Sequence, residues 1–126
     1  FSGARQSSDL ILSNNFNQCC DKVILATDNG SRGERGLVSD LLLRFLENDL
    51  PSSLLSQSLI CACGPRPMQK AVAEIAQQKK VACQVSLEER MACGIGACKG
   101  CAVATRSGYK MACSDGPVFA AEDIIW

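Results

Sequence analysis

The sequence predicts an α/β protein: a partial doubly wound parallel sheet over residues 1–87, then a small cysteine-rich β-hairpin module over residues 88–126. Short apolar runs alternate with segments of helical periodicity up to Leu87, and such alternation builds a parallel sheet with helices on its faces. Beyond Leu87, glycine and cysteine are too dense for regular elements until two strand-like stretches flank Arg106-Ser-Gly.

Taken in order, Phe1-Ser-Gly-Ala reads as the end of a strand. A helix is expected from Ser8, whose hydroxyl can cap it. Lys22-Val-Ile-Leu-Ala-Thr is a short apolar run of the kind that forms a buried parallel strand. Asp28-Asn-Gly-Ser-Arg-Gly-Glu-Arg-Gly is a loop. Val38, Leu41, Leu42, Phe45 and Leu46 then recur at helical spacing, and Pro51 stops that helix. The cycle repeats with Ser58-Leu-Ile-Cys-Ala as a second buried strand and Cys63-Gly-Pro-Arg-Pro as a turn. Met68, Val72, Ile75, Ala76 and Lys79 put an apolar stripe and a charged edge on one helix. Val81-Ala-Cys-Gln-Val-Ser-Leu is a third apolar run. The hairpin pairs Ala102-Val-Ala-Thr with Tyr109-Lys-Met-Ala, and the boundary between the two parts falls at residues 87–90.

Composition narrows the function. Apolar residues make up 47% of the 126, enough for a core, and 13 basic residues balance 13 acidic ones. That balance leaves no footprint for nucleic acid or an anionic membrane. No apolar run approaches the roughly 20 residues of a membrane span; the most apolar stretch, Leu37 to Leu46, is broken by Asp40 and Arg44. There is no histidine, which removes Ser-His-Asp and Cys-His nucleophile pairs, histidine zinc ligands and Rieske clusters. The nine cysteines are an odd number, and the start of the chain does not read as a secretory signal. A reducing, cytoplasmic setting with clustered cysteines on metal is therefore expected, rather than disulfides. Cys19, Cys20, Cys61 and Cys83 read as small buried hydrophobes.

The remaining cysteines carry the chemistry. Cys93, Cys98, Cys101 and Cys113 are spaced C-x₄-C-x₂-C-x₁₁-C. The first three match the plant-type 2Fe-2S pattern, whose fourth cysteine comes later. Each of two irons takes two thiolates, and three of the four must come from one short loop. Gly94, Gly96 and Gly100 supply the freedom for that loop to wrap a cluster and aim N–H groups at its sulfurs. A structural zinc site in a non-catalytic interaction module is the competing reading. Such sites usually show two C-x₂₋₄-C pairs, whereas here one tight pair shares its first cysteine with a C-x₄-C. The spacing favours the 2Fe-2S cluster.

Glu89-Arg-Met-Ala-Cys-Gly-Ile-Gly-Ala-Cys-Lys-Gly-Cys, followed by Cys113-Ser-Asp-Gly-Pro-Val-Phe, resembles the C-terminal end of the electron-transfer subunits of class B dihydroorotate dehydrogenases, within the ferredoxin-reductase superfamily. Gly3-Ala-Arg, Ala26-Thr-Asp-Asn-Gly-Ser and Cys63-Gly-Pro-Arg-Pro-Met extend the resemblance over essentially the whole chain. It implies that residues 1–87 are a partial NAD-binding lobe and residues 88–126 the 2Fe-2S module. It implies an NAD-linked oxidoreductase subunit, in which NADH reduces FAD and electrons pass through the cluster to FMN in a dihydroorotate dehydrogenase catalytic subunit. The expected assembly is a heterotetramer. FAD would belong to a β-barrel preceding this stretch, so the 126 residues alone are not expected to be active, and none is assigned a catalytic role. The same module is expected in bifurcating NADH–ferredoxin–NADP transhydrogenases and hydrogenase γ subunits, which differ in the terminal acceptor.

Two turns are candidate nucleotide contacts. Thr27-Asp-Asn-Gly-Ser follows a buried strand, and ligands of open α/β sheets collect at the carboxyl ends of strands. Asp28 could accept hydrogen bonds from an adenosine ribose, with Thr27, Gly30 and Ser31 beside it; an ordinary Asx turn explains the same residues. Cys63, Gly64, Pro65 and Met68 form the second turn. The resemblance places it near the nicotinamide, while a plain strand-to-helix turn with Pro67 near the first helical position is the alternative. Gly30, Gly33 and Gly36 are irregularly spaced, as in a mobile surface loop, and Arg90, Lys99 and Lys110 read as solvated surface.

Overall fold

The computed structural model describes residues 1–126, which form two compact units, Phe1–Pro51 and Ser52–Trp126.

The first unit is built on a three-stranded parallel sheet in the order β1-β2-β3, with β1 at Ser2–Ala4, β2 at Leu25–Thr27 and β3 at Glu34–Arg35. Ala26 and Thr27 of β2 are fully buried, as a central strand flanked on both edges requires. Helix α1 spans Ser13–Cys19 and α2 spans Val38–Arg44. The helix expected from Ser8 starts five residues later. Ser7–Asp9 instead form a 3₁₀ turn, after which the chain extends to bury Leu10. Helix α2 lies close on β1: a Cβ on Gly3 would stand 2.8 Å from Val38 Cβ. It buries Leu41 and Leu42, then widens into a π-helical turn, Phe45–Asp49, that buries Leu46 and ends before Pro51. The Phe1 and Phe45 rings meet edge-on at 5.4 Å.

The second unit begins with a one-turn helix, α3, at Ser52–Leu55. Its sheet has the order β4-β5-β8: β4 (Leu59–Cys63) runs parallel to β5 (Ala82–Ser86), and β8 (Val118–Ala120) pairs antiparallel with β5. Helix α4, Arg66–Lys79, connects β4 to β5 as a crossover and buries Val72, Ala73, Ile75 and Ala76. Its start fits the sequence, with Pro67 in the first turn; its end is set by Lys80 in the left-handed conformation. Strands β6 (Ala102–Thr105) and β7 (Gly108–Met111) form the expected hairpin around Arg106-Ser107. Val85, Leu87, Cys101, Val103, Ala112, Ala121 and Ile124 make one buried cluster, and Cys113, Phe119 and Trp126 pack against it.

The structure corrects two expectations. Hydrogen bonding gives two separate three-stranded sheets rather than one continuous parallel sheet, and the second is mixed. The mixture arises because the chain returns from the hairpin onto β5, with Leu87 N–H bonded to Pro117 O at 2.9 Å. The compact units divide after Pro51, a feature separate from the change of texture that the sequence shows at Leu87. Finally, β4 is not buried on both faces: Leu59, Cys61 and Cys63 share an exposed face, Cys19 and Cys20 are also exposed, and Cys83 is half-buried. Burial of these four cysteines was expected from residue type alone, which does not show which face of a strand its neighbours cover. No helix is long and apolar enough to cross a membrane.

Candidate metal centre and nucleotide turns

The loop that carries Cys93, Cys98 and Cys101 turns through left-handed conformations at Gly94 (φ 70°), Gly96 (φ 79°) and Lys99 (φ 57°). Gly96 is required twice over, since a Cβ there would also meet Ser114 Oγ at 2.8 Å. The third glycine, Gly100, has no positive φ; Lys99 takes the strained position instead. Gly100 contributes its N–H, which points at Cys98 Sγ at 3.4 Å. Gly96 N–H points at Cys113 Sγ at 3.1 Å, and Cys98 N–H at Cys93 Sγ at 3.4 Å.

The four thiols lie as two pairs. Cys93 interacts with the Cys98 side chain, and Cys113 with that of Cys101. Amide N–H groups of Cys98 and Ile95, with the Cys98 thiol and Ala97 N–H, hold the Cys93 thiol down to about 6. Cys113 is pushed up, first by its side-chain hydrogen bond with Cys101 and then by burial. No three histidine, cysteine or carboxylate side chains converge as a single-ion site. Two thiol pairs, with N–H groups aimed at sulfur, fit a binuclear group that takes two thiolates per metal and carries net negative charge. Cys101 is buried and Cys113 packs on the core, so one pair is anchored by the fold; Cys98 is exposed. Arg90, Lys99 and Lys110 are exposed, as expected.

The Thr27 to Ser31 turn is largely committed to its own structure. Thr27 Oγ1 donates to Arg32 O at 2.8 Å and accepts from Arg32 N–H at 3.1 Å. Asn29, rather than Asp28, makes the Asx turn, its Oδ1 accepting from Ser31 N–H at 3.0 Å. Ser31 Oγ accepts from Ser7 N–H at 2.8 Å. Gly30 takes φ 73°. Asp28 is left exposed at the carboxyl end of β2, its carboxylate without a partner. The following glycines are held by β3, so this stretch is no free loop.

At the carboxyl end of β4, Cys63 is exposed, Gly64 has φ 145°, and a Cβ on Gly64 would meet Met68 Cε at 2.6 Å. Pro65 caps α4. Gln69, absent from the candidate residues above, is 1% exposed and donates from Nε2 to Gly64 O and Ser86 O, both at 2.8 Å. The available signal was its position: an uncharged polar residue in line with the stripe of Val72 and Ala76.

Residues 88–125 match the family model for the iron-sulfur cluster binding domain of dihydroorotate dehydrogenase B. The chain is 42% identical over 109 residues to the dihydroorotate dehydrogenase B (NAD(+)) electron transfer subunit of Caldanaerobacter subterraneus subsp. tengcongensis, covering 83% of this chain and 41% of that protein. It is 43% identical over 105 residues to the subunit of the same name from Bacillus caldolyticus, covering 80% of this chain and 37% of the relative. Among solved structures, it superposes with TM-score 0.81 on a chain of the NADH-dependent reduced ferredoxin-NADP oxidoreductase, a structure described for flavin-based electron bifurcation. Identity there is 32%, over 98% of this chain and 42% of that one. The chain thus spans about two fifths of the length of these relatives. The resemblance read from the sequence, to the C-terminal part of class B electron-transfer subunits, is borne out.

Proposed function

We propose that this stretch is the cluster-bearing, NAD-facing part of an electron-transfer subunit that passes electrons from NADH, by way of FAD and a 2Fe-2S cluster, to the FMN of a cytoplasmic dihydroorotate dehydrogenase catalytic subunit. The observation that carries the reading is the set of two thiol pairs, Cys93 with Cys98 and Cys101 with Cys113, inside the segment matched by the iron-sulfur family. Each pair would hold one iron. When bound, the cluster supplies a one-electron carrier between a two-electron donor and the next acceptor.

The chain's own residues do the rest. N–H groups of Gly96, Cys98 and Gly100 face cysteine sulfurs and offset the negative charge of a thiolate-ligated centre. Asp28 would bind the ribose hydroxyls of NADH and repel a 2′-phosphate. Cys63, Gly64, Pro65 and Met68 would form the wall near the nicotinamide, with Thr27, Gly30 and Ser31 shaping the Asp28 turn. FAD is assigned to the part of the relatives that lies outside these residues, so the stretch alone is not expected to oxidise NADH. The intact complex is read as a heterotetramer with the FMN subunit.

The likeness to the bifurcating oxidoreductase favours a second reading, in which the same module serves a different terminal acceptor. Capture of the full-length subunit from its own cells separates the two. A co-purifying FMN protein that reduces orotate with NADH is the expected result. A co-purifying ferredoxin-dependent NADP reductase subunit would transfer the assignment to the second reading.

A further inference from the structure

The first turn of α4 holds a buried side chain that the fold uses at only one end. Nε2 of Gln69 ties the turn after β4 to the last residue of β5 through Gly64 O and Ser86 O. That pair of bonds sets the orientation of the amide, because a reversed amide would place its oxygen against two carbonyls. The other end, Oε1, is buried and has no donor in the protein. Buried acceptors are normally satisfied, and the chain supplies no donor for this one.

Gln69 forms part of the wall of a cavity of about 310 Å³, together with residues 64–66 and 87–89. The cavity lies at the carboxyl ends of the parallel strands β4 and β5 and beside the N-terminus of the 14-residue helix α4. Ligands of open α/β sheets gather at such edges, and the volume is near the lower end for small-molecule clefts, about 300–1,000 Å³. Charge narrows the occupant. Arg66 is paired with Glu89 at 3.0 Å, and Glu88 adds a second carboxylate to the wall. An anionic group would meet this acidic excess and the Gln69 acceptor. A neutral group with N–H donors fits.

The geometry points to Gln69 as a specificity-determining residue whose Oε1 accepts an N–H of a primary carboxamide, that of nicotinamide on the reading above. Its Nε2 holds the Cys63-Gly64-Pro65 turn in place. The inference rests on the nucleotide-binding reading, and the test separates their failures. The full-length subunit is titrated with NAD⁺, with nicotinic acid adenine dinucleotide, which replaces the carboxamide by a carboxylate, and with AMP. Wild type is expected to bind NAD⁺ at least roughly tenfold more tightly than the acid analogue, the size of one well-made hydrogen bond. Gln69→Met should bring that ratio close to one while AMP binding is kept, together with the visible chromophore, whose candidate ligands lie in the same unit as Gln69. Equal affinity of wild type for the two dinucleotides, with AMP still bound, overturns the inference and leaves the nucleotide reading standing. So does an unchanged ratio in the variant. Failure of wild type to bind either NAD⁺ or AMP overturns the nucleotide reading and the inference with it. Should Gln69→Met misfold, Gln69→Leu takes its place, and an unchanged ratio in that variant likewise overturns the inference.

Discussion

Cys93 and Cys113 are both half-exposed, yet their thiols are driven in opposite directions. Cys93 faces amide N–H groups that lower it; Cys113 is raised by its hydrogen bond with Cys101. A metal at either pair displaces protons, and the fold has prepared N–H donors for the sulfurs left behind. Serine at Cys93, Cys98, Cys101 or Cys113 should therefore abolish or destabilise the visible chromophore, whereas Cys19→Ser and Cys20→Ser should leave it intact. A normal spectrum in Cys113→Ser would show that the fourth ligand lies elsewhere. Spacing alone made these four legible, because the motif compresses its geometry into one loop. Exposure was not legible: Cys61 and Cys83 look alike in sequence, but Cys61 is exposed and Cys83 is pushed up by burial first and by Cys61 second. A raised thiol binds its proton more tightly folded than unfolded. Its contribution to stability is thus full below the ordinary value of 9.0 and falls as pH rises through the folded value. Iodoacetamide at pH 8 should label Cys61 well before Cys83, as peptide mapping would read. Equal rates would contradict the burial assigned to β5.

The hairpin β6-β7 links ordinary core packing to the metal loop. Val103 of β6 is 1% exposed and belongs to the same buried cluster as Cys101 and Ala112, while Cys113 packs against that cluster from the end of β7. Val103→Ala removes two buried methyl groups and should cost about 1–3 kcal/mol. The native spectrum should persist in buffer, and the midpoint for loss of the chromophore in guanidinium should fall. An unchanged midpoint would mean that the hairpin does not support the ligands. The hairpin was legible because its two strand-like stretches flank a short glycine-containing turn. Strand β8 was not: Val118–Ala120 is three residues long, and its antiparallel place beside β5 is a long-range pairing with no local signature. Helix α1 was misplaced for a related reason, since burial of Leu10 outweighs the capping potential of Ser8.

Across the molecule, the two units divide the readings. Asp28 and its turn belong to Phe1–Pro51; the cavity beside Gln69 and all four candidate ligands belong to Ser52–Trp126. Strand-helix alternation made the α/β architecture legible, but not the division after Pro51, which depends on contacts between elements rather than on composition. The metal ties the account together, because it is what the two thiol pairs and the N–H groups aimed at them are read as holding. Metal and acid-labile sulfide analysis of the anaerobically purified protein is the most direct measurement. The account predicts a brown protein with roughly two irons and two sulfides per polypeptide, bleached by dithionite. A colourless protein with stoichiometric zinc and no sulfide would contradict it.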